Sequence, residues 1–147
     1  MGNTQHIYKN KSSGFTLIEI MIVIAIIGML AGLVIPNLFS KQDEAAKIAA
    51  KQDIATISTA LQTYRLDNSN YPTTEQGLQA LLTKPTTAPI PRQWQDKGYL
   101  NKMPKDPWGR PYQYLSPGLH SEFDVFTFGK DNEAGGEGVN SDIGNWE

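Results

Sequence analysis

GFTLIEIMIVIAIIGMLAGLVIP, residues 14–36, decides how the rest of the chain is read. Nothing is charged from Ile20 to Ile35, and Glu19 is the single acid in residues 15–40, which hold no base. At about 1.5 Å per residue, a helix from Phe15 to Ser40 is long enough for the ~30 Å hydrocarbon core of a bilayer. Before it, MGNTQHIYKNKSSG (1–14) is polar, with Lys9 and Lys11 and no acid. Lysines on that side keep it cytoplasmic, so the remainder is exported. Residues 41–147 then have room for one folded head with a modest core.

Three readings compete for the apolar run. An ordinary secretory signal needs a small-x-small cleavage site followed by a polar start, but the candidates near Ala31 and Gly32 are followed by more apolar residues. A plain single-pass anchor accounts for everything except Glu19. The third reading accounts for Glu19 as well. A carboxylate in an apolar helix calls for a partner, and no Lys, Arg or His lies between residues 12 and 40. A cut after Gly14 would release an α-amine on Phe15, four residues from Glu19. That amine can pair with its own Glu19 or with Glu19 of a neighbouring copy. The remaining alternative is a carboxylate that snorkels toward the headgroups.

Composition narrows the classes further. The head carries 11 of the 13 basic residues and 14 of the 15 acidic ones, so nothing electrostatic suits it to nucleic acid. With no cysteine, a disulfide framework, a Cys-based zinc site and a thiol nucleophile are all excluded. The histidines are His6, in the leader, and His120, beside a turn and read as solvated. No phosphate loop or nucleophile–base pair is evident, so the chain reads as a non-enzyme.

Past Pro36, Ala46, Ala50, Ile54, Ile57, Leu61 and Tyr64 recur at helical spacing and mark one face of an amphipathic helix. Pro36 is the only interruption, and its missing donor should kink or loosen one very long helix. Thr73-x-x-Gln76 is a capping-box pattern before a short second helix through Leu78, Leu81 and Leu82, stopped at Pro85. Residues 85–107 hold five prolines and read as an irregular connection. Asp106-Pro107-Trp108-Gly109 is a tight turn. Tyr112–Leu115 and Phe123–Phe128 read as two strands joined across Ser116-Pro117-Gly118. Trp94, Trp108, Tyr112, Tyr114, Phe123, Phe126 and Phe128 read as packing residues. The tail from Gly129, with five glycines and five acids in 19 residues, is too flexible to hold one shape unaided.

The block from Gly14 through Pro36 resembles the class III signal of type IV pilins and their relatives: a short basic leader, Gly, Phe, and Glu as the fifth mature residue. The resemblance implies a membrane peptidase that removes 1–14 and N-methylates Phe15. Glu19 becomes the assembly carboxylate and Pro36 the helix-loosening proline. YPTTEQGLQALL, GYLNKMPKDPWGRPYQYLSPG and the ending DIGNW, in a chain without a disulfide, are similar to the major pseudopilins (G subunits) of type II secretion systems. That likeness runs from Ser13 onward. It implies an α+β, pilin-like fold with a long N-terminal helix on a small antiparallel sheet. Its expected organisation is a leader (1–14), a transmembrane and assembly helix (15–40) and a periplasmic head (41–147). The implied function is a helical pseudopilus, built at the inner membrane, that helps push folded proteins through an outer-membrane channel. The implied partners are copies of itself, minor pseudopilins, the prepilin peptidase, and the inner-membrane assembly platform with its ATPase.

The same resemblance implies Ca²⁺ in the loop after the last strand, and oxygen donors on a Gly-rich loop suit that cation. Asp131 stands at the family's ligand position, with the Phe128 backbone carbonyl nearby. The position of the second carboxylate is occupied by Gly138, so Glu137, Asn140 or Asp142 substitutes, or backbone carbonyls take a larger share. Two rival functions remain: the major subunit of a type IV surface pilus, and a membrane-anchored calcium-binding module that never polymerises. Glu19 separates polymer from plain anchor, and the Cys-free tail ending in DIGNW separates pseudopilus from pilus.

Overall fold

The computed structural model of the protein describes residues 14–147, and of 33–40 the backbone alone. The chain divides into two compact units at Ser40/Lys41. Helix α1 is Leu17–Asn68, so helical backbone passes through Pro36 and the missing donor there does not end it. The Pro36 side chain lies outside the described residues, as does the leader up to residue 13. Leu17, Ile18, Ile20, Met21, Ile22, Val23, Ile24, Ile26, Ile27, Met29 and Leu30 are all exposed, with no polar face among them. A helix apolar all round gains nothing in water and is built to be covered. Among the described residues no helix is long and apolar enough to cross a membrane; the described side chains of this run end at Gly32.

In the head unit the helical face read from spacing is the buried one. Ala50, Ile54, Ile57, Leu61 and Tyr64 are buried and Ala46 is half-buried. They belong to one core with Leu78, Ala80, Leu81, Tyr112, Tyr114, Phe123, Val125 and Ile143. Burying Ile57 or Leu61 completely stabilises the head by roughly 1.5–3 kcal/mol each relative to exposure. Trp94 and Trp108 pack at its edge.

The capping box at Thr73 is present in both directions. Gln76 N–H donates to Thr73 Oγ1 at 3.2 Å, and Thr73 N–H donates to Gln76 Oε1 at 3.1 Å. The short helix it opens is a 3₁₀ helix, Leu78–Leu81, with Leu82 as its C-cap. Gly77, at φ 60°, stands immediately before it.

The sheet has three antiparallel strands: β1 (Gln113–Leu115), β2 (Asp124–Thr127) and β3 (Ile143–Gly144), in the order β1-β2-β3. Tyr114 pairs with Val125 and Phe126 with Gly144. The first two strands are those expected from sequence; β3 corrects the expectation of a shapeless tail. Ile143, 1% exposed, brings the chain end into the core. Asn145 then extends the ladder with its side chain: its Oδ1 accepts Val125 N–H at 2.9 Å and its Nδ2 donates to Phe123 O at 3.0 Å. Gly144 lets the Trp146 ring lie close over the strand: a Cβ there would stand 2.3 Å from the ring and displace it.

Candidate functional site

Two places carry the residues singled out by the sequence. The first is the start of α1. Phe15 is exposed, and Thr16 caps the helix. Glu19 N–H donates to Thr16 Oγ1 at 3.3 Å. In return Glu19 Oε2 accepts from Thr16 N–H at 2.9 Å and from Thr16 Oγ1 at 3.0 Å. This is a reciprocal capping box, two free donors of the helix end satisfied at once. Thr16-x-x-Glu19 has the same spacing as Thr73-x-x-Gln76, a capping signal hidden by the more conspicuous charge in an apolar run. The geometry gives the carboxylate a second function and fixes where it points, toward the chain immediately after Gly14. A cut there would put the Phe15 amine one peptide unit from the N–H that Glu19 already binds. Among the described residues a Cβ on Gly14 would meet nothing within 4 Å.

The second place is the loop between β2 and β3. Phe128 follows β2, and the next peptides fold back on residues 135–142. Lys130 N–H donates to Val139 O at 3.1 Å and Asp142 N–H to Gly135 O at 3.1 Å. A Cβ on Gly129 would stand 2.7 Å from Ser141 O. Asp131 is exposed, its Oδ1 accepting Glu133 N–H at 3.1 Å. Glu137, exposed, immediately precedes a 3₁₀ turn, Gly138–Asn140, and Asn140, the last residue of that turn, is half-buried. Asp142 differs from both. Its Oδ2 accepts Gly135 N–H at 3.0 Å, while its Oδ1 is buried without a hydrogen-bond partner.

A buried carboxylate oxygen with no donor is costly, and a cation or an ordered water removes the cost. Among the described residues no three His, Asp or Glu side chains gather as a metal-binding group. A site here would therefore draw on backbone carbonyls, which Ca²⁺ accepts readily. The buried, unpartnered Asp142 Oδ1 is the observation here that fits a cation.

Two buried carboxylates outside the sequence-derived site organise the head. Asp106 Oδ1 accepts from Trp108 N–H (3.1 Å) and Arg110 N–H (2.7 Å), and its Oδ2 accepts from Thr127 Oγ1 at 2.7 Å. Asp124 Oδ2 accepts from Leu119 N–H at 2.7 Å and His120 N–H at 3.0 Å, and its Oδ1 from Ser121 N–H at 3.2 Å. Burial works to raise the Asp124 pKa, but the His120 ring and these backbone donors outweigh it and hold the carboxyl below its ordinary value. His120 is thus not simply solvated: its Nδ1 lies 3.0 Å from Asp124 Oδ2 and its ring stacks on Trp146 at 3.9 Å. The sequence does carry a signal for this, since Asp124 is a lone acid inside the apolar run FDVFTF, as Glu19 is in its own.

Comparison with known proteins agrees with this architecture. Residues 37–146 match the family described as type II secretion system (T2SS), protein G, and residues 9–35 match the prokaryotic N-terminal methylation motif. The type II secretion system core protein G of Pseudomonas aeruginosa is 52% identical over 139 residues, covering 95% of this chain and 98% of that one. That of Vibrio cholerae is 54% identical over 136 residues, 92% of each. The crystal structure of the major pseudopilin from the type 2 secretion system of enterohaemorrhagic Escherichia coli aligns with a TM-score of 0.67 at 46% identity. It covers 77% of this chain and 96% of its own. The chain belongs to the type II secretion system protein G family.

Proposed function

We propose that the chain is a structural subunit of a type II secretion pseudopilus, anchored by α1 in the inner membrane with its head in the periplasm. The observation that carries this is the first part of α1, where apolar side chains are exposed on every side behind an acid-bearing cap at Thr16–Glu19. Before assembly, lipid would cover that surface; in the filament, the same surface of other copies would. Glu19 and the Phe15 amine of adjoining subunits would then set the axial register by charge, in a medium where an unpaired carboxylate is costly. The prepilin peptidase, the assembly platform with its ATPase, and minor pseudopilins complete the machinery. The chain's own contribution is binding and shape.

In the tail, Asp131, the Phe128 carbonyl and Asp142 would hold Ca²⁺. Asp142 is preferred to Glu137 and Asn140 because its Oδ1 is already desolvated and lacks a donor. The cation supplies positive charge that neutralises the loop and ties it to the end of β2.

The test is complementation of a secretion system that lacks its own G subunit. The parent chain should restore filaments and export. Glu19→Leu should insert and be cut normally but give no filaments. Wild-type filament yield from Glu19→Leu would reduce Glu19 to a helix cap.

A further inference from the structure

The loop between β2 and β3 is tied to the body of the head by a residue far from it in sequence. Arg110 Nη2 donates to the Gly129 carbonyl, and its guanidinium lies over the Trp108 ring at 5.7 Å. Arg110 Nε stands 3.4 Å from Asp106 Oδ2, an ion pair whose carboxylate is almost wholly buried. The same Asp106 oxygen accepts from Thr127 at the end of β2.

The peptide unit joining Gly129 to Lys130 is therefore gripped from both sides. Its C=O accepts from Arg110, and its N–H donates to Val139 O at 3.1 Å. That unit lies between the Phe128 carbonyl and Asp131, so its plane sets how one is aimed relative to the other. Val139 belongs to the segment that leads into Asp142. Gripping one peptide thus fixes both halves of the loop against each other.

We infer that Arg110 is a positioning residue for cation binding: it holds the Gly129–Lys130 peptide so that the Phe128 carbonyl and Asp131 face the same point as Asp142. This rests on the calcium reading of the tail. Partners that orient metal ligands without touching the metal typically contribute roughly 10–100-fold in affinity. Loss of Arg110 should not unfold the head, because Asp106 keeps Trp108 N–H, the residue-110 N–H and the Thr127 hydroxyl.

The experiment uses the full-length chain in detergent micelles, titrated with CaCl₂ by calorimetry, with amide exchange followed in excess calcium. Arg110→Met should weaken Ca²⁺ binding by at least about tenfold. Exchange at Lys130 should quicken while exchange at Val125, in the middle of β2, stays as in the parent. Arg110→Lys, which keeps the charge but not the planar fork, should fall between parent and Arg110→Met. Parent-like affinity in both variants would overturn the proposal, as would equal acceleration at Lys130 and Val125, which marks general destabilisation. A parent chain that binds no Ca²⁺ overturns the calcium reading itself and this inference with it, a result distinct from the other two.

Discussion

Gly14 and Glu19 show how differently two residues of one motif are constrained. Among the described residues nothing needs glycine at 14, since a Cβ there meets nothing within 4 Å. In the proposed function, the demand for a residue without a side chain would come from the peptidase that cuts beside it. Gly14→Val should fold and insert but keep its leader, seen as an undiminished precursor on a gel of membranes; normal-length mature protein from this variant would remove the processing reading. Glu19 is constrained from within as well as from without. It closes the cap of α1 through Thr16, which holds its carboxylate at the helix start, where in the proposed function it would meet a neighbour's amine.

Among the elements, β2 is stapled to the chain between it and β1 by the Asp124 carboxylate. Its pKa is held below the ordinary 3.8 by donors that outweigh the opposing effect of burial. A carboxyl depressed in the folded state contributes stability above its unfolded pKa and loses it as pH falls through the folded value. The melting temperature should therefore drop on acidification from about pH 4 downward. Asp124→Asn should melt lower than the parent at neutral pH and show a shallower acid decline; an identical acid slope in both proteins would free Asp124 of this role. The elements legible in the sequence are those with a period. The α1 face from Ala50 to Tyr64 repeats every three or four residues over many turns, and β1 and β2 are aromatic and β-branched. β3 is not legible, because Asp142-Ile143-Gly144-Asn145 is too short to alternate and its pairing is completed by the Asn145 side chain. The short helix at Leu78 is legible from its capping chemistry, which announces a helical start without fixing its pitch, here 3₁₀. In the candidate site, residue types are legible and geometry is not. Preference among Glu137, Asn140 and Asp142 comes only from the buried, unpartnered Asp142 Oδ1.

For the molecule as a whole, a chain of 147 residues with no cysteine closes its C-terminal end by strand pairing, packing and ionic contacts, without a disulfide. Ile143 anchors it in the core, Trp146 lies on His120, and Lys51–Glu147 (2.7 Å) and Lys130–Asp43 (3.1 Å) pair at the surface. Exposed pairs of this kind contribute at most about 1 kcal/mol each, so a cation in the loop has a large effect to add. At a hundredfold excess over Kd, binding to the native state alone stabilises by about 2.7 kcal/mol, on the order of 10 °C in Tm for a head of this size. The chain should melt higher in calcium than in chelator, with Mg²⁺ a weak substitute because it tolerates irregular geometry poorly. Asp131→Ala and Asp142→Ala should each remove most of the difference, and Glu133→Ala should leave it. Equal melting temperatures in calcium and in chelator would falsify the metal loop.

In the proposed function, register and assembly depend on a cut after Gly14 that would free the Phe15 amine as a partner for Glu19. Intact-mass and N-terminal fragment spectra of the protein, taken from membranes that contain a prepilin peptidase, read that cut directly. The mature chain should begin with N-methylated Phe15 and lack residues 1–14. A chain still beginning at Met1, or one cut near Ala31, would contradict it.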